Sequence, residues 1–533
     1  MTTPRSVVVI GGGIAGLVAA RDCATAGMHV TVVERTDAPG GAVATQTVAG
    51  IRVDTGAESY ATRGGTVRKL VDGLGLADSV VRPVPAGAWV RLADGRSVPL
   101  PKAGLLGIPS SPLADDVRRV IGWRGALRAY LDRIRPVLTI GTERNLGDLV
   151  RRRMGAAVLE SLVAPVTRGV YSADPSDLDV TRAAPGLNRA LTAAGSLSGA
   201  VAILRSNAPA GSAVEGLRGG MSTLVTALTA DLTDRGATLL LGAGVSAVSR
   251  IADPEEAADT DAVAPGDGAT TDPSGAVADA TGVEEITTRW EVALENGTVL
   301  EADYVIVAAP EAEALRLLAP FSAEIAAESP VDAPAIELVT LVLDAPALDA
   351  APRGSGVLVA ESSGSTVTAK ALTHSTAKWQ WLHDEASTGH PHRHVVRLSY
   401  GRHGAANPTT GLDDTAVRAL AVRDAAALLG VPLDDSAVVG FARTVWNGTL
   451  PGAAIGQRER AEALRAAALR IGDLDVTGAW LAGTGLASVV PDALAASRRV
   501  RHLVAASYRP SGTTDGGHTR PGGDKASPDN TAS

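Results

Sequence analysis

The chain has 533 residues, 45% of them hydrophobic and 20% charged; that is enough for two to four folding units with sizeable cores and too apolar for a disordered chain. Its 58 acids exceed its 49 lysines and arginines, giving a net charge of −9, the opposite of the balance that binds nucleic acid. A single cysteine, Cys23, excludes a disulfide framework and any Cys-rich zinc or iron–sulfur site, and suits a reducing compartment.

From the N-terminus, Val7-Val8-Val9-Ile10 reads as a buried strand. The apolar run from Val7 to Ala20 is shorter than the roughly 20 residues that span a bilayer, and its glycines follow another logic. Gly11-Gly12-Gly13-Ile14-Ala15-Gly16 leads into a helix expected over 17–26. Gly11 permits the tight turn, Gly13 lets a pyrophosphate approach the backbone, and Gly16 lets helix and strand pack closely. The N–H groups at the helix start then face the anion. A second strand, His29 to Val33, ends at Glu34, where a carboxylate can accept from ribose hydroxyls. Glycines alone would make a plain tight turn; strand, helix, strand and acid in register favour a dinucleotide site. Arg35 and the turn Gly40-Gly41-Ala42 follow, then a strand over Ile51–Asp54 and the turn Gly56-Ala57-Glu58-Ser59.

Residues 112–160 are expected to be helical, with Arg-rich faces and aliphatics at spacings of three and four. Thr238–Leu241 and Val245–Val248 read as strands. Residues 251–288 then hold ten acids and no Lys or Arg, so a disordered insertion is expected there. Without it the net charge becomes +1, and the acidity of the whole chain says little about a site. The insertion interrupts a hairpin that resumes at Trp290–Leu294, turns at Asn296-Gly297 and returns to Ala302. Tyr304 to Ala309 is an apolar run suited to a strand buried on both faces. Strands are expected at 336–343, 356–360 and 394–400, helices at 413–430 and 457–470, and a disordered tail from about 510. The nine histidines form no HExxH or comparable cluster, so no metal is expected, and His29 reads as structural.

The residues from Gly11 to Ser59 resemble the FAD-binding opening of the flavin amine oxidase and porphyrinogen oxidase superfamily. Gly216-Leu217-Arg218-Gly219-Gly220 before a helix, Val476-Thr477-Gly478, Gly483-Thr484-Gly485 and Ser488-Val489-Val490-Pro491-Asp492 resemble its later FAD segments. The resemblance implies an α/β fold: a Rossmann-like FAD-binding domain with an inserted mixed α+β substrate domain and a helical subdomain. The FAD domain would take residues 1–100, 216–318 and 441–508; 101–215 would be the helical part, 319–440 the β-rich substrate part and 509–533 the tail. It also implies that FAD meets Gly11, Gly12, Gly13, Ile14, Ala15, Gly16, Glu34, Arg35, Gly40, Gly41, Ala42, Gly56, Ala57, Glu58 and Ser59. To these it adds Val245 through its backbone to adenine, Trp446 beside the cofactor, and Gly478, Gly485, Ser488, Val489 and Val490, whose segment turns backbone N–H groups to the isoalloxazine and ribityl. With Cys23 on the first helix, non-covalent FAD is expected.

Asn145–Gly155, Leu162–Pro175, Gly354–Val359, Thr368–Trp379, Arg443–Trp446, Leu450-Pro451-Gly452 and Gly456-Gln457 resemble the porphyrinogen oxidase branch, most nearly the bacterial coproporphyrinogen III oxidases of Gram-positive type. That family oxidises coproporphyrinogen III through FAD in three two-electron steps, with O2 as acceptor and H2O2 as product. Protoporphyrinogen IX is the alternative substrate, and a flavin amine oxidase or carotenoid desaturase would share only the FAD segments. Two departures stand out: Arg168 ahead of Gly169, and Gln457 where a His is common. A porphyrinogen needs aliphatic walls and a few cations for its propionates. Arg63 is the first candidate anchor, with a solvated loop arginine as the plain reading, and Arg168 is the second. The resemblance further implies a cytoplasmic enzyme with transient contact to the next heme-pathway enzyme; peripheral membrane contact is left open.

Overall fold

The computed structural model describes residues 4–136, 142–206, 213–252, 288–331, 335–360, 366–448 and 454–507. The insertion, apart from its flanks, the tail and Leu450-Pro451-Gly452 lie outside the described residues.

Strand Ser6–Ile10 alternates between two cores. Val7 and Val9 face one side with Tyr304 and Ile306, while Val8 and Ile10 face the other with Val305 and Val307. A strand buried on both faces needs cover on both, which parallel sheets receive from their crossover segments. The sheet has five parallel strands in the order Thr238–Leu240, His29–Val33, Ser6–Ile10, Tyr304–Val307, Leu474–Val476. Helices Ile14–Thr25, Ser222–Asp234 and Leu486–Ser507 cover one face. The other carries helices Glu311–Leu318 and Gln457–Ile471 and a three-stranded antiparallel layer, Val245–Ala252, Thr288–Leu294 and Val299–Ala302. The first two strands of that layer stay paired as far as Ala252 and Thr288. They therefore bracket the insertion as one hairpin, and Gly297 (φ +87°) makes the next turn.

The second sheet has seven strands: Val438–Trp446, Ile336–Asp344, Arg393–Tyr400, Ala371–His374, Gly356–Val359, Trp89–Arg91 and Ser97–Pro99. Only the pairing of Gly356–Val359 with Trp89–Arg91 is parallel. The chain thus enters this sheet at Trp89, earlier than the boundary expected at 100, and leaves it after Trp446, later than that expected at 440. Helix Asp414–Leu429 packs against it through Val417, Ala421, Ala425 and Leu428.

A helical unit around Leu149, Met154, Leu162, Leu187 and Leu197 is built from residues 115–206. Its first helix, Asp115–Tyr130, is broken at Gly122. Among the described residues no single helix is long and apolar enough to cross a membrane. Helices Leu187–Ala194 and Leu197–Ser206 together have the length and composition, but they are bent by 116° and pack into this core.

Candidate functional site

The glycine loop divides by what a side chain would meet. A Cβ on Gly11 (φ +112°) would stand 2.7 Å from the Ala308 carbonyl oxygen, and one on Gly16 would collide with the Gly11 carbonyl. Those two glycines serve the packing of strand and helix. At Gly13 a Cβ would meet nothing within 4 Å, so the open side of the loop is there. The helix begins at Ile14, three residues earlier than expected, with no side-chain cap and no acid in its first turn. Its first N–H groups are therefore available to an anion. Glu34 stands next to them, accepting from the Gly12 N–H at 2.7 Å and from the Thr36 N–H and hydroxyl at 2.9 and 2.7 Å; Arg35 beside it is exposed.

Backbone bonds stack the next two glycine turns on this loop. The Gly40 N–H donates to the Gly12 carbonyl at 2.8 Å, and the Ala57 N–H donates to that of Ala42 at 3.0 Å. A Cβ on Gly41 would sit 3.4 Å from the Gly13 Cα, and one on Gly56 would collide with the Ala42 carbonyl. The Ala243 N–H donates to the Glu34 carbonyl at 2.8 Å, which brings Val245 to the same end of the site. The Val245 carbonyl is taken by Arg316 Nη2 at 2.6 Å.

At the opposite end, Trp446 Nε1 donates to the Thr55 carbonyl at 2.7 Å and its ring edges Gly56. Arg397 Nη1 donates to the carbonyls of Asp54 and Gly56 at 3.2 and 3.0 Å. Glu58 was expected to meet the cofactor, but its carboxylate is turned to the second sheet, between Lys378 and Arg397, the latter at 3.1 Å. Burial pushes the Glu58 carboxyl up, but the two cations outweigh it and hold it down to about 2. At neighbouring Asp54 burial prevails and pushes the carboxyl up to about 7, against the Met221 N–H and Arg397. Asp54 Oδ1 accepts that N–H at 2.9 Å and leaves Gly220 (φ +91°) room for nothing but hydrogen, while Gly216 is confined by the Trp379 ring. Ser59 is half-buried.

The last helix, Leu486–Ser507, starts after Gly485 (φ +94°), and Gly478 (φ +142°) opens the short helix before it. The N–H groups of Ser488 and Val489 were expected to face the cofactor, but they close onto the Gly485 carbonyl at 2.9 and 3.1 Å, while Val490 is core. The donors left at this helix start are those of Leu486 and Ala487.

Arg63 Nη2 donates to Ser488 Oγ at 3.0 Å. Both residues line a cavity of about 380 Å³ with Arg182, Arg465, Tyr171 and Thr484. Arg465 pairs with Asp492 at 2.5 Å. The cavity borders the C-terminal glycine segment but not Gly13, Gly56 or Trp446. Arg168 is neither a pocket cation nor solvated: it is mostly buried and grips Asp174 with Nε and Nη2 at 3.2 and 2.5 Å. Gly169 beside it lets its helix meet Leu358 of the second sheet. Arg182 and Arg397 are additions that the sequence did not reveal; an alternating strand shows that Arg397 faces away from Val396, but not what it meets. Lys378 stood in a recognised segment without a role. Gln457 is buried. Among the described residues no group of three or more His, Cys, Asp or Glu could hold a metal. Burial pushes the Cys23 thiol up to about 12, so it stays protonated.

An open glycine loop, free N–H donors at two helix starts and a carboxylate at a strand end fit the diphosphate and ribose of a dinucleotide. The chain matches the flavin containing amine oxidoreductase family over residues 14–280 and 273–500. It is 26% identical over 524 residues to coproporphyrinogen III oxidase of Propionibacterium freudenreichii, covering 91% of this chain and 89% of that one. With coproporphyrinogen III oxidase of Bacillus subtilis it shares 24% over 509 residues, covering 92% and 97%. A structure from Exiguobacterium sp. 255-15, assigned as a protoporphyrinogen oxidase, has the same fold with a TM-score of 0.74 at 22% identity, covering 95% of this chain and all of that one. The chain belongs to the flavin containing amine oxidoreductase family, and it is an FAD-dependent oxidoreductase.

Proposed function

We propose that this enzyme oxidises coproporphyrinogen III to coproporphyrin III in the cytoplasm and hands the porphyrin by transient contact to the next enzyme of heme synthesis. The observation that carries this reading is the end-to-end similarity to bacterial coproporphyrinogen III oxidases, over 89% and 97% of the two relatives described. Bound FAD supplies two-electron oxidation; six hydrogens leave in three rounds, so one porphyrinogen and three O2 give one porphyrin and three H2O2. The protein's part is orientation and charge. Trp446 and Arg397 fix the 54–56 backbone from the second sheet. Beside that backbone Lys378 and Arg397 hold the Glu58 carboxylate between them. In the cavity, Arg63 donates to the neutral hydroxyl of Ser488 and stands near the Tyr171 phenol, and among the described residues no carboxylate pairs with it. Its guanidinium is thereby free to take a propionate.

The test is an anaerobic half-reaction in which oxidised enzyme is mixed with each porphyrinogen and flavin bleaching is followed. Faster bleaching by coproporphyrinogen III supports the proposal. Faster bleaching by protoporphyrinogen IX transfers the activity to that substrate, and bleaching by neither overturns it.

A further inference from the structure

The chain uses 44 arginines and five lysines, and one of the five stands where the helical unit meets the second sheet. Lys370 precedes strand Ala371–His374, and its N–H donates to the Ser399 carbonyl at 2.9 Å, which seats its backbone in that sheet. Its Nζ donates at 2.7 Å to the carbonyl of Gly401, which follows strand Arg393–Tyr400, and across the boundary at 2.5 Å to the Ser172 hydroxyl. Ser172 and Gly401 are buried. Among the described residues no carboxylate pairs with Lys370, and burial pushes its amine down to about 7.

Ser172 ends helix Ala164–Tyr171 in a left-handed turn (φ +53°), which a residue with a side chain rarely keeps unless its surroundings hold it there. The hold comes from the sheet side. The hydroxyl accepts from Lys370, and the carbonyl accepts from the His403 N–H at 2.8 Å. The residue before this turn, Tyr171, lines the cavity of Arg63 and Ser488, and its hydroxyl donates to the Ala183 carbonyl at 3.1 Å. The place of that wall thus depends on a bond made by the lysine. We propose that Lys370 is a positioning residue, whose amine latches the Ser172 turn to the second sheet and so sets the Tyr171 wall of the substrate cavity. The proposal rests on the reading that this cavity takes the substrate.

A lysine suits this place where an arginine does not, because a guanidinium never sheds its charge and an amine can. As an ammonium, Nζ carries a charge and three N–H donors against two neutral acceptors, so the turn gains by withdrawing to let water in. As a neutral amine it keeps both bonds without that penalty. The latch therefore tightens as pH rises through neutrality. The charges on the surrounding elements are committed elsewhere: Arg168 to Asp174, Glu337 to Arg443, and Asp424 to the Tyr400 hydroxyl. Burial pushes the Tyr171 phenol up, which keeps it neutral. Arg402 and the exposed His403 follow Gly401 on the sheet side.

The test uses the full-length holoenzyme with Lys370→Met, Lys370→Arg, Ser172→Ala and His403→Gln. At pH 8 both Lys370 variants should raise the KM for coproporphyrinogen III roughly tenfold, with kcat and flavin per chain within about twofold. Ser172→Ala, which removes only the acceptor, should move KM the same way, and adding it to Lys370→Met should change nothing more. The parent's KM should rise about threefold as pH falls from 8 to 6; His403→Gln should keep that rise and both Lys370 variants should lose it. The penalty of burying the ammonium is full below about pH 7 and eases toward the unfolded lysine value of 10.5. The parent should therefore gain in melting temperature on Lys370→Met between pH 7 and pH 9. The proposal falls if KM is unchanged in an active Lys370→Met enzyme, if Lys370→Arg behaves as the parent, if the pH effect follows His403, or if the melting difference is the same at both pH values. Loss of flavin in Lys370→Met also overturns it, for the lysine would then serve the cofactor. A parent enzyme that no porphyrinogen bleaches overturns the proposed function and this proposal with it, whereas an unchanged KM in an active variant overturns this proposal alone.

Discussion

The guanidinium of Arg63 and the hydroxyl of Ser488 lie 3.0 Å apart although 425 positions separate them. The bond ties the loop after Tyr60 to the first turn of the last helix, so a candidate substrate anchor rests on a segment assigned to the cofactor.

Exchange of this bond for one to a propionate predicts the behaviour of Arg63→Ala. A charge-assisted hydrogen bond is worth about 1.5–3 kcal/mol, so the KM for coproporphyrinogen should rise roughly ten- to a hundredfold, with flavin content unchanged. Arg168→Ala is the control: its guanidinium is committed to Asp174, and KM should not move. If Arg63→Ala loses flavin and keeps its KM, Arg63 serves the cofactor.

Gly13 and Gly16 should fail differently. A side chain at Gly16 collides with the Gly11 carbonyl, so Gly16→Val should lower stability as well as flavin content. At Gly13 the surroundings are open, so Gly13→Val should yield a folded, colourless protein. Absorbance per chain and the melting temperature of the apoprotein separate the two; a yellow Gly13→Val protein would remove the diphosphate from that loop.

Two carboxylates four residues apart make opposite demands on pH. Asp54, raised to about 7, binds its proton more tightly folded than unfolded. Its stabilisation is full below the unfolded carboxyl value of about 4 and drains away as pH rises to about 7. Glu58, lowered to about 2, stabilises above about 4 and loses that contribution as pH falls. Asp54→Asn should therefore flatten the loss of melting temperature between about pH 5 and pH 7. An unchanged slope would show that Asp54 is not the group responsible.

Because Ala252 and Thr288 are paired, residues 253–283 can be removed with the hairpin kept. Flavin content and turnover should stay within a few-fold of the full chain. Loss of flavin in the shortened protein would show that the acidic segment contributes to the cofactor site.

What the sequence revealed follows from how local each requirement is. Gly16 is held to glycine by the Gly11 carbonyl five residues away, and the Asn296-Gly297 turn by its own dihedrals, both local demands, whereas Gly11 answers to Ala308 far along the chain. The pairing of Trp89–Arg91 with Gly356–Val359 joins segments far apart in the chain, and no local pattern encodes it. The same holds for Glu58, whose partners come from the short helix Ser375–Lys378 and the strand Arg393–Tyr400, and for Ser488 and Val489, whose N–H groups are claimed by a neighbouring carbonyl. The aliphatic spacing along 112–160 was legible as helix for Asp115–Tyr130 and Leu146–Met154, but not the break at Gly122 or the 3-10 turn at Leu131–Ile134, and residues 137–141 lie outside the described ones. Periodicity tells which residues share a face, not whether anything covers that face, and so the exposure of Trp123, Leu127 and Ile134 went unread.

The make-up of the parallel sheet has a consequence for biosynthesis. Ser6–Ile10 is flanked by a strand made almost at once, His29–Val33, and by one made some 300 residues later, Tyr304–Val307, whose far edge waits for Leu474–Val476. A ribosome-bound nascent chain therefore carries an unfinished sheet edge for most of its elongation. The helix that closes the first core, Leu486–Ser507, emerges only after that edge strand. Flavin loading should thus wait until residues 474–507 have emerged, and a chain stopped short of residue 474 should present a naked apolar strand to chaperones and proteases.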